Sequence, residues 1–168
     1  MNYTNTTSSL YTRETLVRSW TEFFTQESYE WKPFALTVVF RKVDAISNQA
    51  RYEYEYRTRF LNKIRRRLES CPRNQANALP FEDMFYYEKD IGSIFKKTSS
   101  RSPHHIHALL PIKEKHMHRF WCAVSNDINA RLRKDLESID VVQSVLIEPA
   151  TLERRESWIR YISKRKEM

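Results

Sequence analysis

Apolar and polar positions alternate along this chain with two different periods, and the changes of period mark out the elements. Between Thr12 and Tyr29, Leu16, Trp20, Phe23 and Phe24 recur at helical spacing, which predicts a first helix. Pro33 then opens Phe34-Ala35-Leu36-Thr37-Val38-Val39-Phe40, a β-branched and apolar run of strand length that ends in Arg41-Lys42. From Gln49 to Ser70, Tyr52, Tyr56, Phe60, Ile64 and Leu68 follow one another every four residues and draw one stripe along a long helix. Cys71-Pro72 ends it, since the proline ring disfavours helical geometry in the residue before it. A polar loop follows. Phe81 to Asp90 reads as a second strand, and His104 to Leu110 as a third that Pro111 closes. The segment Gly92 to Pro103 between them is rich in Lys, Ser, Thr and Arg and reads as a loop. Lys113 to Ile139 carries Phe120, Val124, Ile128 and Leu132 on one helical face. Val141 to Ile147 is a fourth strand, and Thr151 is placed to cap a last helix that reaches almost to Met168.

Leaving aside the first helix, the order is β-α-β-β-α-β-α. Its first six elements match the split βαβ, ferredoxin-like pattern. The expected fold class is therefore α+β: a central antiparallel sheet with helices, an extra N-terminal helix and an additional C-terminal helix. Residues 1–11 are polar and rich in Thr, Asn and Ser, so a flexible tail is expected there, with a single domain over 12–168.

Composition narrows the function. The 168 residues hold Lys+Arg 29 against Asp+Glu 21, a net charge of +8 that favours an anionic partner, nucleic acid first. Glycine occurs once, at Gly92. Phosphate-cradling loops of the Walker and dinucleotide types need several glycines in fixed positions, so one glycine excludes them from this chain. No apolar run approaches the roughly 20 residues that span a bilayer, and no secretory signal is visible, so a cytoplasmic protein is expected. Cys71 and Cys122 lack metal-finger or disulfide spacing and read as buried or incidental thiols.

The sharpest local chemistry is His105-Ile106-His107. On a strand, residues two apart share a face, so both imidazoles can point at one cation. The pair at His116 and His118 has the same spacing in a predicted helix start, where the two diverge, and takes no ligand role. Glu88, near the end of the neighbouring strand, is the candidate third donor, with Glu82, Asp83 and Asp90 behind it. Imidazoles with a carboxylate suit a loosely held Mg²⁺ or Mn²⁺. In the last helix Tyr161 and Lys164 lie three apart on the side that also carries Trp158. Such a tyrosine can be a nucleophile whose target's charge the lysine offsets. With a free pKa of about 10 it needs activation or a polarised target.

Taken in order, the apolar strand with its basic end, the block His104-His105-Ile106-His107-Ala108-Leu109-Leu110-Pro111 and the block Tyr161-Ile162-Ser163-Lys164 resemble the three motifs of the HUH endonucleases. Within that superfamily the chain resembles the nuclease domain of rolling-circle replication initiators, from about Pro33 to the end. The resemblance implies an HUH-type nuclease over 12–168 with His105, His107 and Glu88 as metal ligands, Tyr161 as the nucleophile and Lys164 as a positioning residue. It implies a transesterification on single-stranded DNA through a 5′-phosphotyrosine, at an origin hairpin, in a plasmid- or phage-like replicon. The positions four before and four after Tyr161 are Ser157 and Arg165, so a single catalytic tyrosine is expected. With no phosphate loop, a helicase would come from another protein or from a missing region of a longer parent. Arg65, Arg66 and Arg67, with Lys96, Lys97 and Arg101, are candidate phosphate contacts, and Tyr52, Tyr54 and Trp158 candidate base-stacking platforms. Two other readings stand beside this one. One is a single-tyrosine transposase of the same superfamily. The other is a non-catalytic single-stranded nucleic-acid-binding module, against which the histidines on the third strand count.

Overall fold

The computed structural model describes residues 13–26, 30–41, 49–89, 104–124 and 131–164. Four strands form one antiparallel sheet: β1 (Trp31–Phe40), β2 (Phe85–Lys89), β3 (His104–Lys113) and β4 (Val142–Pro149), in the spatial order β2-β3-β1-β4. The protein is thus α+β. β1 runs antiparallel to both of its neighbours, β3 and β4. β2 and β4, which follow helical connections from β1 and β3, therefore each lie two places from the strand before the crossover.

Alternation along the strands divides the core in two. Phe34, Leu36, Val38 and Phe40 of β1, with Ile106, Ala108, Leu110 and Ile112 of β3, are buried on one face. They pack against α2 (Gln49–Glu55), α3 (Leu61–Leu68), α5 (Met117–Val124) and α6 (Arg131–Glu137). The opposite face is half covered. There α1 (Arg13–Gln26) and α7 (Leu152–Ile162) supply Val17, Phe24, Ile159 and Ile162 against Leu109 and Ala35.

The four-residue stripe explains an irregularity. In a regular α-helix of 3.6 residues per turn, a four-residue step overshoots a turn by about 40°, so five such residues would drift by about 160° around the axis. A π-helical turn, Tyr56–Phe60, joins α2 to α3 and holds more residues per turn. With it in place Tyr52, Tyr56, Phe60, Ile64 and Leu68 are all buried in one cluster.

Several sequence expectations change. Pro111 does not end its strand; β3 continues to Lys113 and pairs Pro111 with Pro33. The Pro33 carbonyl accepts from Ala150 N–H, 2.9 Å, so the backbone polar groups of Pro33 turn toward β4 and not toward β3. Those of Pro111 turn away from β1, beyond the point where β2 stops pairing at Ala108. Neither position asks for the N–H that proline lacks. The polar loop after Pro72 is a helix, α4 (Pro72–Ala78): Cys71 is extended and Pro72 sits in the first turn, where its missing N–H has no partner to lose. The second strand begins at Phe85, four residues later than expected, because Phe81 turns aside to pack on Phe23 and Trp31. The helix expected from Lys113 to Ile139 appears as a 3₁₀ turn (Glu114–His116), α5 and α6, with residues 125–130 outside the described residues. The last helix stops at Ile162. The N-terminal tail and the Gly92–Pro103 loop lie outside the described residues. Cys71 and Cys122 are exposed, not buried. Among the described residues no helix is long and apolar enough to cross a membrane.

Candidate active site on the open half of the sheet

Since α1 and α7 cover only the half of their face near Ala35 and Leu109, the other half opens into a cleft of about 590 Å³. Thr37, Val39, Glu88, His105, His107, Arg133, Gln143 and Leu146 are among the residues that line it. The alternation of β3 sends His105 and His107 into this cleft. His104 goes to the other face, where it is buried and its Nδ1 lies 2.6 Å from the Tyr87 hydroxyl.

Three elements meet around His107. Register pairs Glu88 of β2 with His105, and the Glu88 carboxylate lies 3.3 Å from His107 Nε2. From α7, the Tyr161 hydroxyl donates a hydrogen bond to the same Glu88 oxygen, Oε2. The Tyr161 ring stands edge-on to His107, with centroids 5.1 Å apart. The Thr37 hydroxyl on β1 lies 3.1 Å from His107 Nδ1. With Nδ1 carrying the proton and donating to Thr37, the lone pair of Nε2 faces Glu88, which is the arrangement a metal-ligating histidine needs.

Tyr161 is held from several sides. Trp158 stacks on it at 5.9 Å, and the indole N–H donates to the Ala108 carbonyl at 2.8 Å, which registers α7 against β3. Tyr86 of β2 meets it edge-on at 5.7 Å. Lys164 lies in the turn just past the end of α7, with Nζ 4.1 Å from the centre of the Tyr161 ring. The N-terminal helix braces α7 at both ends. Arg13 donates to the Arg160 carbonyl (3.1 Å), and Arg155 donates to the Phe24 carbonyl (3.1 Å). Burial of Arg155 lowers its pKa from the usual guanidinium range.

His105, His107, Glu88, Tyr161 and Lys164, separated by up to 76 positions, thus come together. The donor set of two imidazoles and a carboxylate on adjacent strands fits a loosely held divalent ion. The set is not closed: the His105 and His107 rings stack with centroids 6.1 Å apart, and among the described residues no three His, Cys, Asp or Glu side chains are gathered as a metal-holding group.

The expected phosphate contacts fare differently. Arg65 is buried and does not face solvent. Its guanidinium donates twice to the Leu79 carbonyl (3.0 and 2.8 Å), once to Asn62 Oδ1 (3.1 Å) and once to Glu82 (2.8 Å). It leaves the set of exposed phosphate contacts, because its guanidinium is turned inward onto the Leu79 carbonyl. Arg66 and Arg67 are exposed on α3, which covers the face of the sheet away from the cleft. Lys96, Lys97 and Arg101 lie outside the described residues. Tyr52 is fully buried and donates to the Arg41 carbonyl, so it is not a stacking platform, whereas Tyr54 is exposed. Glu82 and Asp83 face Arg65 and Arg57 and not the cleft.

Sequence reasoning missed Thr37, Trp158 as a clamp, Arg13, Arg155 and the cleft-lining Arg133. Thr37 had a signal, since it falls in the opposite phase from Leu36 and Val38 on an apolar strand. The two arginines on α1 and α7 had none. Comparison with protein-family models, curated proteins and solved structures returns no match for this chain.

Proposed function

We propose that this protein is a metal-dependent, single-tyrosine endonuclease and strand transferase of the HUH type that nicks and joins single-stranded DNA to initiate rolling-circle replication. The observation that carries the reading is the meeting of Tyr161, Glu88 and His107 at one point of an open cleft. A phenol held at a carboxylate beside an imidazole pair is a poised nucleophile.

His105, His107 and Glu88 would hold a Mg²⁺ or Mn²⁺ ion, which when bound polarises a non-bridging phosphate oxygen. The Tyr161 oxygen attacks the phosphorus of the scissile diester, forming the tyrosyl P–O bond as the bond to the 3′-oxygen breaks. The phenolic proton leaves to solvent as the tyrosyl ester forms, and until then the hydrogen bond to Glu88 orients the hydroxyl. The departing 3′-oxygen takes up a proton from solvent and leaves as a hydroxyl. Lys164, above the ring, offsets the negative charge of the reacting phosphate. Thr37 holds His107 in one tautomer, and Trp158 fixes the direction of attack. The energy of the broken ester is kept in the tyrosyl ester, so a 3′-hydroxyl can reverse the reaction and join strands. Replicon DNA and a separate helicase are the partners this activity would need.

The deciding experiment incubates the full chain with a panel of labelled single-stranded DNAs and Mn²⁺, followed by denaturing electrophoresis and peptide mass spectrometry. An adduct on the peptide holding Tyr161, lost in Tyr161→Phe, is expected. Salt-dependent binding with neither cleavage nor adduct would replace this reading with that of a binding module.

A further inference from the structure

A second pair of metal-ligating side chains lies on the other face of the sheet, away from the cleft. His118 and Cys122 are four apart on α5, so they share one face of that helix. Both are exposed. Cys122 Sγ is 3.8 Å from His118 Nδ1 and 3.9 Å from Nε2. The buried side of α5 is supplied by Phe120, Ala123 and Val124, so neither residue is needed for packing.

We propose that His118 and Cys122 chelate a thiophilic divalent cation of the zinc class. A tetrahedral ion with a metal–sulfur bond of about 2.3 Å and a metal–nitrogen bond of about 2.0 Å holds sulfur and nitrogen about 3.5 Å apart. Sγ lies almost equally far from both ring nitrogens and so off the lone pair of each; on one helix face four residues apart, the two side chains reach the bite by rotating about their exposed side-chain bonds, and the backbone does not move. Thiolate with imidazole selects Zn²⁺, Co²⁺ or Cd²⁺ over Mg²⁺ and Mn²⁺. The cleft, with imidazole and carboxylate donors, has the opposite bias. This pair lies away from the cleft, and the proposal does not rest on the nuclease reading. On binding, the Cys122 thiol gives its proton to solvent and the neutral imidazole donates a lone pair. The two remaining coordination positions stay with water. Because the chelate needs the helix formed, the ion staples α5 and stabilises the folded state.

The test uses the full chain with Cys71→Ser, so that Cys122 is the sole thiol, titrated with Co²⁺ under a non-thiol reductant. One equivalent should bring up a thiolate-to-cobalt charge-transfer band, which Zn²⁺ then displaces. Cys122→Ser should abolish the band, and His118→Ala should weaken binding at least about tenfold, a loss of about 1.4 kcal/mol or more. The His105→Ala/His107→Ala double variant should keep it. Both α5 substitutions are at exposed positions, and circular dichroism checks that the variants are folded. Absence of the band, its persistence with unchanged affinity in His118→Ala, or its loss in the double variant would each overturn the proposal.

Discussion

Arg65→Met separates two roles for an arginine that sequence alone places among the DNA contacts. Methionine keeps the apolar stem and removes only the guanidinium. Four hydrogen bonds go with it, but they are not equivalent. Asn62 is exposed and the Glu82 side chain is 49% exposed, so water replaces the arginine at both. Leu79 is fully buried, and its carbonyl loses both of its guanidinium donors. An unsatisfied buried acceptor costs about 1–3 kcal/mol, and losing charge-assisted bonds adds to it. Relief of the buried charge's desolvation offsets part of the sum. A net loss of about 2–3 kcal/mol follows, which for a chain of this size lowers the thermal midpoint by about 4–12 °C. Arg66→Met, on the exposed side of the same helix, should stay within about 0.5 kcal/mol. Thermal and urea unfolding of the three proteins give these numbers. Binding of single-stranded DNA across a salt series supplies the contrast, because removing one phosphate contact shallows the log–log slope by about 0.7. Arg65→Met with an unchanged midpoint and a shallower slope would refute the structural role.

Three further substitutions probe the site and its frame. Thr37→Val removes the hydroxyl that orients His107, and should reduce metal affinity or cleavage about 10–100-fold while leaving DNA affinity intact, as read by single-turnover cleavage across a Mn²⁺ series. Trp158→Phe keeps a ring against Tyr161 but loses the bond to the Ala108 carbonyl; about 1 kcal/mol of stability and a larger share of the cleavage rate should go, and an unchanged rate would mean that α7 is registered by other contacts. Burial, and then Lys115, push the His116 pKa below the ordinary 6.5. The unfolded chain therefore takes up this proton first, so its contribution is complete above about pH 6.5 and is lost as pH falls toward the folded value. Urea midpoints at about pH 7.5 and about pH 5.5 should converge in His116→Gln; an unaltered pH dependence would remove His116 as the source.

Local rules determined a good part of this protein. A strand's period of two is enough to send His105 and His107 to one face and His104 to the other, whatever the neighbouring strand turns out to be. The four-residue stripe announced a buried helix face, and element order announced an α+β sheet. Tertiary packing decided what those rules leave open. Pro111 reads as a strand end because proline lacks a donor, yet its register opposite Pro33 needs none. Arg65 reads as one of three equivalent arginines. Its bonds to the Leu79 carbonyl hold it buried, while a step of one residue leaves Arg66 in solvent. Tyr161 and Glu88, 73 positions apart, share a hydrogen bond only because β2 pairs with β3 and α7 is pinned across them by Trp158 and by α1. The covering of half a sheet face by α1 and α7 is what makes a cleft of the other half. No periodicity carries that information, because it depends on which apolar surfaces, distant along the chain, bury one another.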